Sequence, residues 1–175
     1  DTISGSNILT RSYKSVSAVF CGNISTLVPV PFFDLDNAAA YLRFNHGVEE
    51  ELIIKSEELL NLGAQNVYAI EPYELDIINR FFPTAVFQHL STGLIEQFVI
   101  HSKSQKQTRV FCNFKKDIFQ VVIVNNGKLL FYNSFQHHSA EDAAYYLLFT
   151  FEQLGLDHNE IQVTLSGTME EEKIT

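Results

Sequence analysis

Residues 118–136, IFQVVIVNNGKLLFYNSFQ, constrain the fold more than any other stretch of this chain. Over 118–124 apolar side chains fill both alternating faces, with Ile118, Val122 and Val124 on one and Phe119, Val121 and Ile123 on the other. A strand of that kind is covered on both sides, so it is interior and not an edge. Asn126-Gly127 follows, and both residues tolerate the positive φ that a tight hairpin turn needs. Residues 129–135 then return antiparallel, and a short apolar run at 110–113 makes the third strand of a meander.

A helix follows the meander. Ser139 is placed as its N-cap, with Asp142 three positions on, which resembles a capping box with Asp in place of Glu. Ala143, Ala144, Tyr146, Leu147, Leu148, Phe151 and Leu154 spread round most of its surface, so the helix is expected to lie under other structure. Gly155 is placed to end it in a left-handed conformation, with Leu156 folding back onto Phe151. A last strand at 161–165 runs into Ser166-Gly167. The intervening helix allows that strand to lie parallel to a neighbour.

The earlier chain alternates in the same way. A strand is expected at 16–20. Residues 27–33 carry Pro29 and Pro31, which suits an edge or a connection. Asp34 and Asp36 give an acidic first turn to a helix that ends near Gly47. Strands at 51–60 and 65–71 precede a helix opened by Pro72 and stopped by Pro83. A strand at 85–89 leads to a helix over 92–102, capped by Ser91 and facing inward through Leu94, Ile95, Phe98 and Val99. The polar, cationic link SKSQKQT at 102–108 is the natural boundary between a first half, residues 1–104, and a second half, residues 105–175. Such alternation means an α/β architecture with helices covering mixed sheets.

Composition narrows the function classes. A net charge of −9 disfavours nonspecific binding to nucleic acid or an anionic membrane. No apolar run of about 20 residues is present, so no membrane insertion is expected. Cys21 and Cys112 each sit in an apolar, strand-like context and read as buried free thiols, which fits a reducing, cytoplasmic setting.

Three antiparallel strands, a crossover helix and a further parallel strand are the ribonuclease H-like core that actin-like ATPases duplicate. The first half, through 67–71, 72–82, 85–89 and 91–100, resembles the end of the first domain in the branch that holds the type IV pilus protein PilM and the type II secretion protein GspL. As a whole the chain is most similar to an uncharacterised bacterial family of unknown function with this actin-like fold. The matching features are Leu27-Val28-Pro29, Tyr68-Ala69-Ile70, the segment LFYNSF at 130–135, Glu141-Asp142 with Tyr145-Tyr146, and Leu165-Ser166-Gly167. The resemblance implies a duplicated core that is incomplete at both ends. The first phosphate loop of the fold belongs before the part that can be placed here, and the fold would carry further elements beyond Thr175.

The departures from that family pattern bear on function. An actin-like ATPase opens its second half with Asp-x-Gly, whose glycine lets amides close on phosphate. Here the turn reads Asn113-Phe114-Lys115-Lys116-Asp117, without glycine, and Phe114 would crowd a phosphate. The adenosine-side motif usually has two adjacent glycines, and Ser166-Gly167 keeps one. Asn113, Lys115, Lys116, Asp117, Ser166 and Gly167 are therefore the candidate nucleotide-binding residues, against the ordinary reading of a solvated polar turn and a simple strand exit.

Other clusters have plain readings. His137 and His138 are adjacent in extended chain and point apart, so they do not suit one metal ion. Glu141 and Asp142 are favoured by the helix dipole. Asp34 and Asp36 read as helix-start residues, and Glu49-Glu50-Glu51 as a solvated acidic surface. Tyr145-Tyr146 reads as core packing. A ribonuclease H-type nuclease would need metal-binding carboxylates on its first strand, and residues 110–113 have none.

The expectation is thus a noncatalytic protein of unknown function, acting as a scaffold through protein–protein interaction, without cofactor and with a homodimer among its possible assemblies. The alternative is a nucleotide-binding actin-like ATPase using Mg-ATP with degenerate phosphate motifs.

Overall fold

The computed structural model describes residues 6, 9, 11–47 and 51–168. The chain forms two compact units. One holds the described residues of Asp1–Glu58 with Gln65–Gly93, and the other holds Leu59–Ala64 with the described residues of Leu94–Thr175.

In the first unit, β1 (Ser17–Phe20) pairs in parallel with β5 (Val86–His89). A second sheet has the order β2 (Ser25–Pro29), β4 (Ala64–Ile70), β3 (Ile53–Leu59). The proline-bearing strand β2 is therefore an edge, as its missing amides require. Helix α1 (Ala38–His46) packs Ala38 and Leu42 onto Val28, Val67 and Ala69. Gly47, at φ 62°, ends it. Asp34 and Asp36 do not form the first turn of α1. They lie in a preceding 3-10 turn, Leu35–Asn37, where the Asp34 carboxylate accepts from the Asp36 amide at 3.0 Å. Helix α2 (Pro72–Phe81) sets Leu75 and Ile78 against Phe20, Tyr68 and Ile70.

Helix α3 (Leu90–Ser102) starts two residues before the expected boundary, so Ser91 lies inside its first turn and does not precede it. The Ser91 hydroxyl is drawn inward instead: it sits 2.7 Å from His89 Nδ1 and accepts from Asn66 Nδ2 at 2.9 Å. The division between units falls within this helix, earlier than the polar stretch at 102–108. Its C-terminal part belongs to the second unit because Phe98 stacks on Phe111, with ring centroids 3.7 Å apart.

The second unit is a four-stranded sheet in the order β8 (Lys128–Gln136), β7 (Ile118–Asn125), β6 (Arg109–Phe114), β9 (Gln162–Gly167). β7 pairs antiparallel with β8 and β6, whereas β9 runs parallel to β6. The β7–β8 turn has Asn126 at φ 47° and Gly127 at φ 76°, the mirror-image turn that the Asn-Gly pair favours. Helix α4 (Ala140–Gln153) covers one face, placing Ala143 and Phe151 on Val110, Cys112, Phe119 and Val121. The other face takes Phe111 and its partner Phe98. That double cover explains why β7 is buried from Phe119 to Val124.

Both ends of α4 are closed locally. The Ser139 hydroxyl accepts from the Asp142 amide at 3.2 Å, and the Asp142 carboxylate reaches back to the His138 amide at 3.0 Å. At the far end Leu156 N donates to Phe151 O (2.9 Å) and Gly155 N to Glu152 O (3.1 Å), a Schellman pattern with Gly155 at φ 62°.

Three expectations are corrected here. Helix α4 is not covered all round: Tyr145 is 64% exposed and Leu148 61%, because only the sheet side has a partner among the described residues. Of the Tyr145-Tyr146 pair, Tyr146 alone packs inward, stacking on Phe135 at 5.0 Å. Cys21 is exposed and Cys112 buried, both free; β1 ends at Phe20 and leaves Cys21 in the following loop.

Candidate functional site

The hairpin between β6 and β7 is tight. Lys115 N donates to Ile118 O at 2.8 Å, so Lys116 and Asp117 form its tip. β8 ends beside it, where His137 N donates to Asp117 O at 3.1 Å. The His137 ring stands edge-on to Phe114 and Phe119, each 5.7 Å away. Phe114 therefore turns into the core, stacked on Phe119 at 5.1 Å, and does not occupy the space above the turn.

That space is a cavity of about 490 Å³. Lys115 and Lys116 form one side, and His137, His138 and Ser139 another. Small residues at the start of α4, Ala140, Ala143 and Ala144, leave the room, and Leu147, Leu165 and Phe114 complete an apolar floor. Among the described residues no Asp or Glu lines it.

The six candidate nucleotide-binding residues do not converge. Lys115 and Lys116 line the cavity. Asn113 and Ser166 are paired across β6 and β9 and project from the opposite face of the sheet, since Cys112 and Leu165 take the face of α4. There they belong to a polar row. Ser166 Oγ donates to Cys112 O (3.2 Å), Asn113 Nδ2 donates to Gln120 Oε1 (3.3 Å), and Gln120 Nε2 donates to the Tyr132 hydroxyl (3.4 Å). This row satisfies Gln120, a buried polar side chain in the middle of β7. Asp117 is exposed at the hairpin tip.

Gly167 has a different structural role. Its φ is +95°, and a Cβ there would lie 2.0 Å from Phe114 O and 2.8 Å from Phe114 N. The strand ends can close only if residue 167 lacks a side chain, and Thr168 N then donates to Phe114 O at 3.0 Å. The sequence singled out Gly167 but not this role. It also missed His138, Ala140, Ala144 and Thr168 as cavity residues. The run of alanines on the first turns of α4 was the available signal.

Among the described residues there is no group of three or more metal-ligating side chains, and no helix long and apolar enough to cross a membrane. Glu49 and Glu50 of the acidic run lie outside the described residues.

This is a mixed α/β protein, and its likeness to a solved structure gives it an actin-like ATPase fold. A protein of Bacteroides thetaiotaomicron whose crystal structure has an actin-like ATPase fold and unknown function superposes with a TM-score of 0.91 and 28% identity over 97% of this chain. The chain spans 66% of the length of that neighbour. It belongs to the DUF3822 family, proteins of unknown function, whose model matches residues 1–175. No curated protein matches it.

Proposed function

We propose that this chain is a noncatalytic member of the actin-like fold that acts through protein–protein contact, as a scaffold. The observation that carries the reading is the closure of the strand ends around β6, by β7 on one side and β9 on the other. Amides that a phosphate-binding member would turn to its ligand are committed to the protein itself: Lys115 N to Ile118 O and Thr168 N to Phe114 O. Asn113 and Ser166 are likewise engaged in the polar row on the face away from the lysines. Exposed apolar groups on α4 and β9 offer surface for a partner, whether another protein or a second copy. Two free cysteines accord with a cytoplasmic setting.

One observation favours the alternative, a Mg-ATP-binding protein with degenerate motifs. Lys115 and Lys116 line one cavity at the strand ends, where α/β sheets commonly bind ligands. The test is thermal unfolding of the full-length protein with and without Mg-ATP and Mg-ADP. Saturation at a hundred times Kd would stabilise by about 2.7 kcal/mol, a rise of roughly 5–10 °C for a protein of this size. The scaffold reading expects no rise at millimolar nucleotide; a rise lost in Lys115→Ala/Lys116→Ala would overturn it.

A further inference from the structure

Helix α4 crosses its sheet off-centre. Tyr146 leans toward β8 and stacks on Phe135. On the cylinder, Ala144 and Leu148 fall on the opposite flank, toward β9. Val163 and Leu165 of β9 project from the same face as Val110 and Cys112, yet remain 43% and 49% exposed. An apolar groove thus opens between α4 and β9, lined by Ala144 and Leu165, with the exposed Leu148 and Val163 beyond them. The cavity described above is its deep end, with Lys115, Lys116 and His138 at the mouth.

The charge is as specific as the shape. The chain carries −9 overall, yet two lysines and two histidines line this cavity and, among the described residues, no carboxylate does. A cationic mouth on an acidic molecule attracts an anion locally while the remaining surface repels it. The volume suits an apolar side chain with room to spare, within the roughly 300–1,000 Å³ of ordinary binding sites. Leu148 and Val163 extend the exposed apolar surface beyond the cavity, so an elongated occupant covers more of it than a compact one.

We propose that this groove binds an acidic peptide segment of a partner protein, with an aliphatic or aromatic anchor in the cavity and flanking carboxylates at Lys115 and Lys116. The proposal rests on the scaffold reading and adds to it the chemistry of the partner.

The probe is a displayed library of random short peptides, selected against the full-length protein. Ala144→Phe fills the groove from an exposed helix position, and Lys116→Glu reverses the mouth from an exposed turn; thermal unfolding confirms that each variant folds. Enriched peptides are expected to place Asp or Glu beside an apolar anchor, and each variant to weaken their binding by roughly tenfold or more, about 1.4 kcal/mol. In a Cys21→Ser background, Ala144→Cys should react with a maleimide in the protein alone and be protected by an enriched peptide. The proposal is overturned by no enrichment, by a cationic consensus, or by peptides that bind Ala144→Phe equally well. It is also overturned if Ala144→Cys is shielded without peptide, which would mean that the protein's own chain or a second copy fills the groove. Any of these results, without a nucleotide-dependent rise in unfolding temperature, leaves the scaffold reading standing. Such a rise, abolished by the double lysine variant, removes that reading whichever peptides bind.

Discussion

Replacing Gly167 with alanine tests how β9 is held. The added Cβ would sit 2.0 Å from Phe114 O, 2.8 Å from Phe114 N and 2.9 Å from Phe114 C, all backbone atoms that cannot rotate away. The strands must separate by more than an ångström at the Phe114–Gly167 pair, which breaks the Thr168 N to Phe114 O bond. A left-handed non-glycine residue costs about 1–2 kcal/mol, a lost hydrogen bond about 1 kcal/mol, and overpacking about 1–3 kcal/mol. Gly63→Ala is the matched control, since Gly63 has φ +58° but nothing within 4 Å of its ideal Cβ. It bears only the backbone cost. Gly167→Ala should therefore be less stable than Gly63→Ala by about 2–4 kcal/mol, or roughly 5–15 °C in thermal unfolding. If the end of β9 peels away instead, the temperature difference shrinks, and the amides of Ser166 and Thr168 exchange with solvent much faster. Equal melting temperatures for the two variants, with unchanged exchange at Ser166 and Thr168, would refute the close-approach argument.

Ser139→Ala removes the hydroxyl that accepts from the Asp142 amide and should cost about 1 kcal/mol in denaturant unfolding. Ser139→Asp should restore most of it, because a carboxylate also caps a helix start. Iodoacetamide at mildly alkaline pH should label Cys21 and spare Cys112 until the protein unfolds, as read by mass spectrometry. Burial pushes the Cys112 thiol up to about 12 from an ordinary 9.0, so the fold holds it neutral. Its contribution is complete below about pH 9, where the unfolded chain is also protonated, and is lost as pH rises toward 12. Tyr68 acts in the same direction, raised by burial and then by its bond to Glu57. Alkaline titration of stability should show this decline, and Cys112→Ala should reduce its slope over that window.

Local chemistry was legible in the residues. The Asn126-Gly127 turn, the Ser139 cap and the Gly155 stop each rest on the conformational limits of a few neighbouring residues. The sequence reading had them because no distant contact is required. The apolar residues on both faces of β7 likewise pointed to its interior place, since only cover on both faces accommodates them.

What lay beyond reach depended on partners far along the chain. Helix α4 looked buried from its composition, but how much of it is covered depends on where it crosses the sheet, and it leaves Leu148 and Tyr145 open. Ser91 had the chemistry of a cap, yet Asn66 and His89 drew its hydroxyl into the interior. The same holds for the candidate site. The sequence marks residues 113–117 and 166–167 as candidates for nucleotide binding by residue type alone. The pleat of β6 and β9 then sends Asn113 and Ser166 to one face and leaves the two lysines at a cavity on the other, while Gly167 spaces two backbones. Sequence determines which conformations each short segment can adopt. The faces those segments share, and the room left between them, are set only when the strands pair and the helix settles, because they are properties of register and distance between residues far apart in the chain.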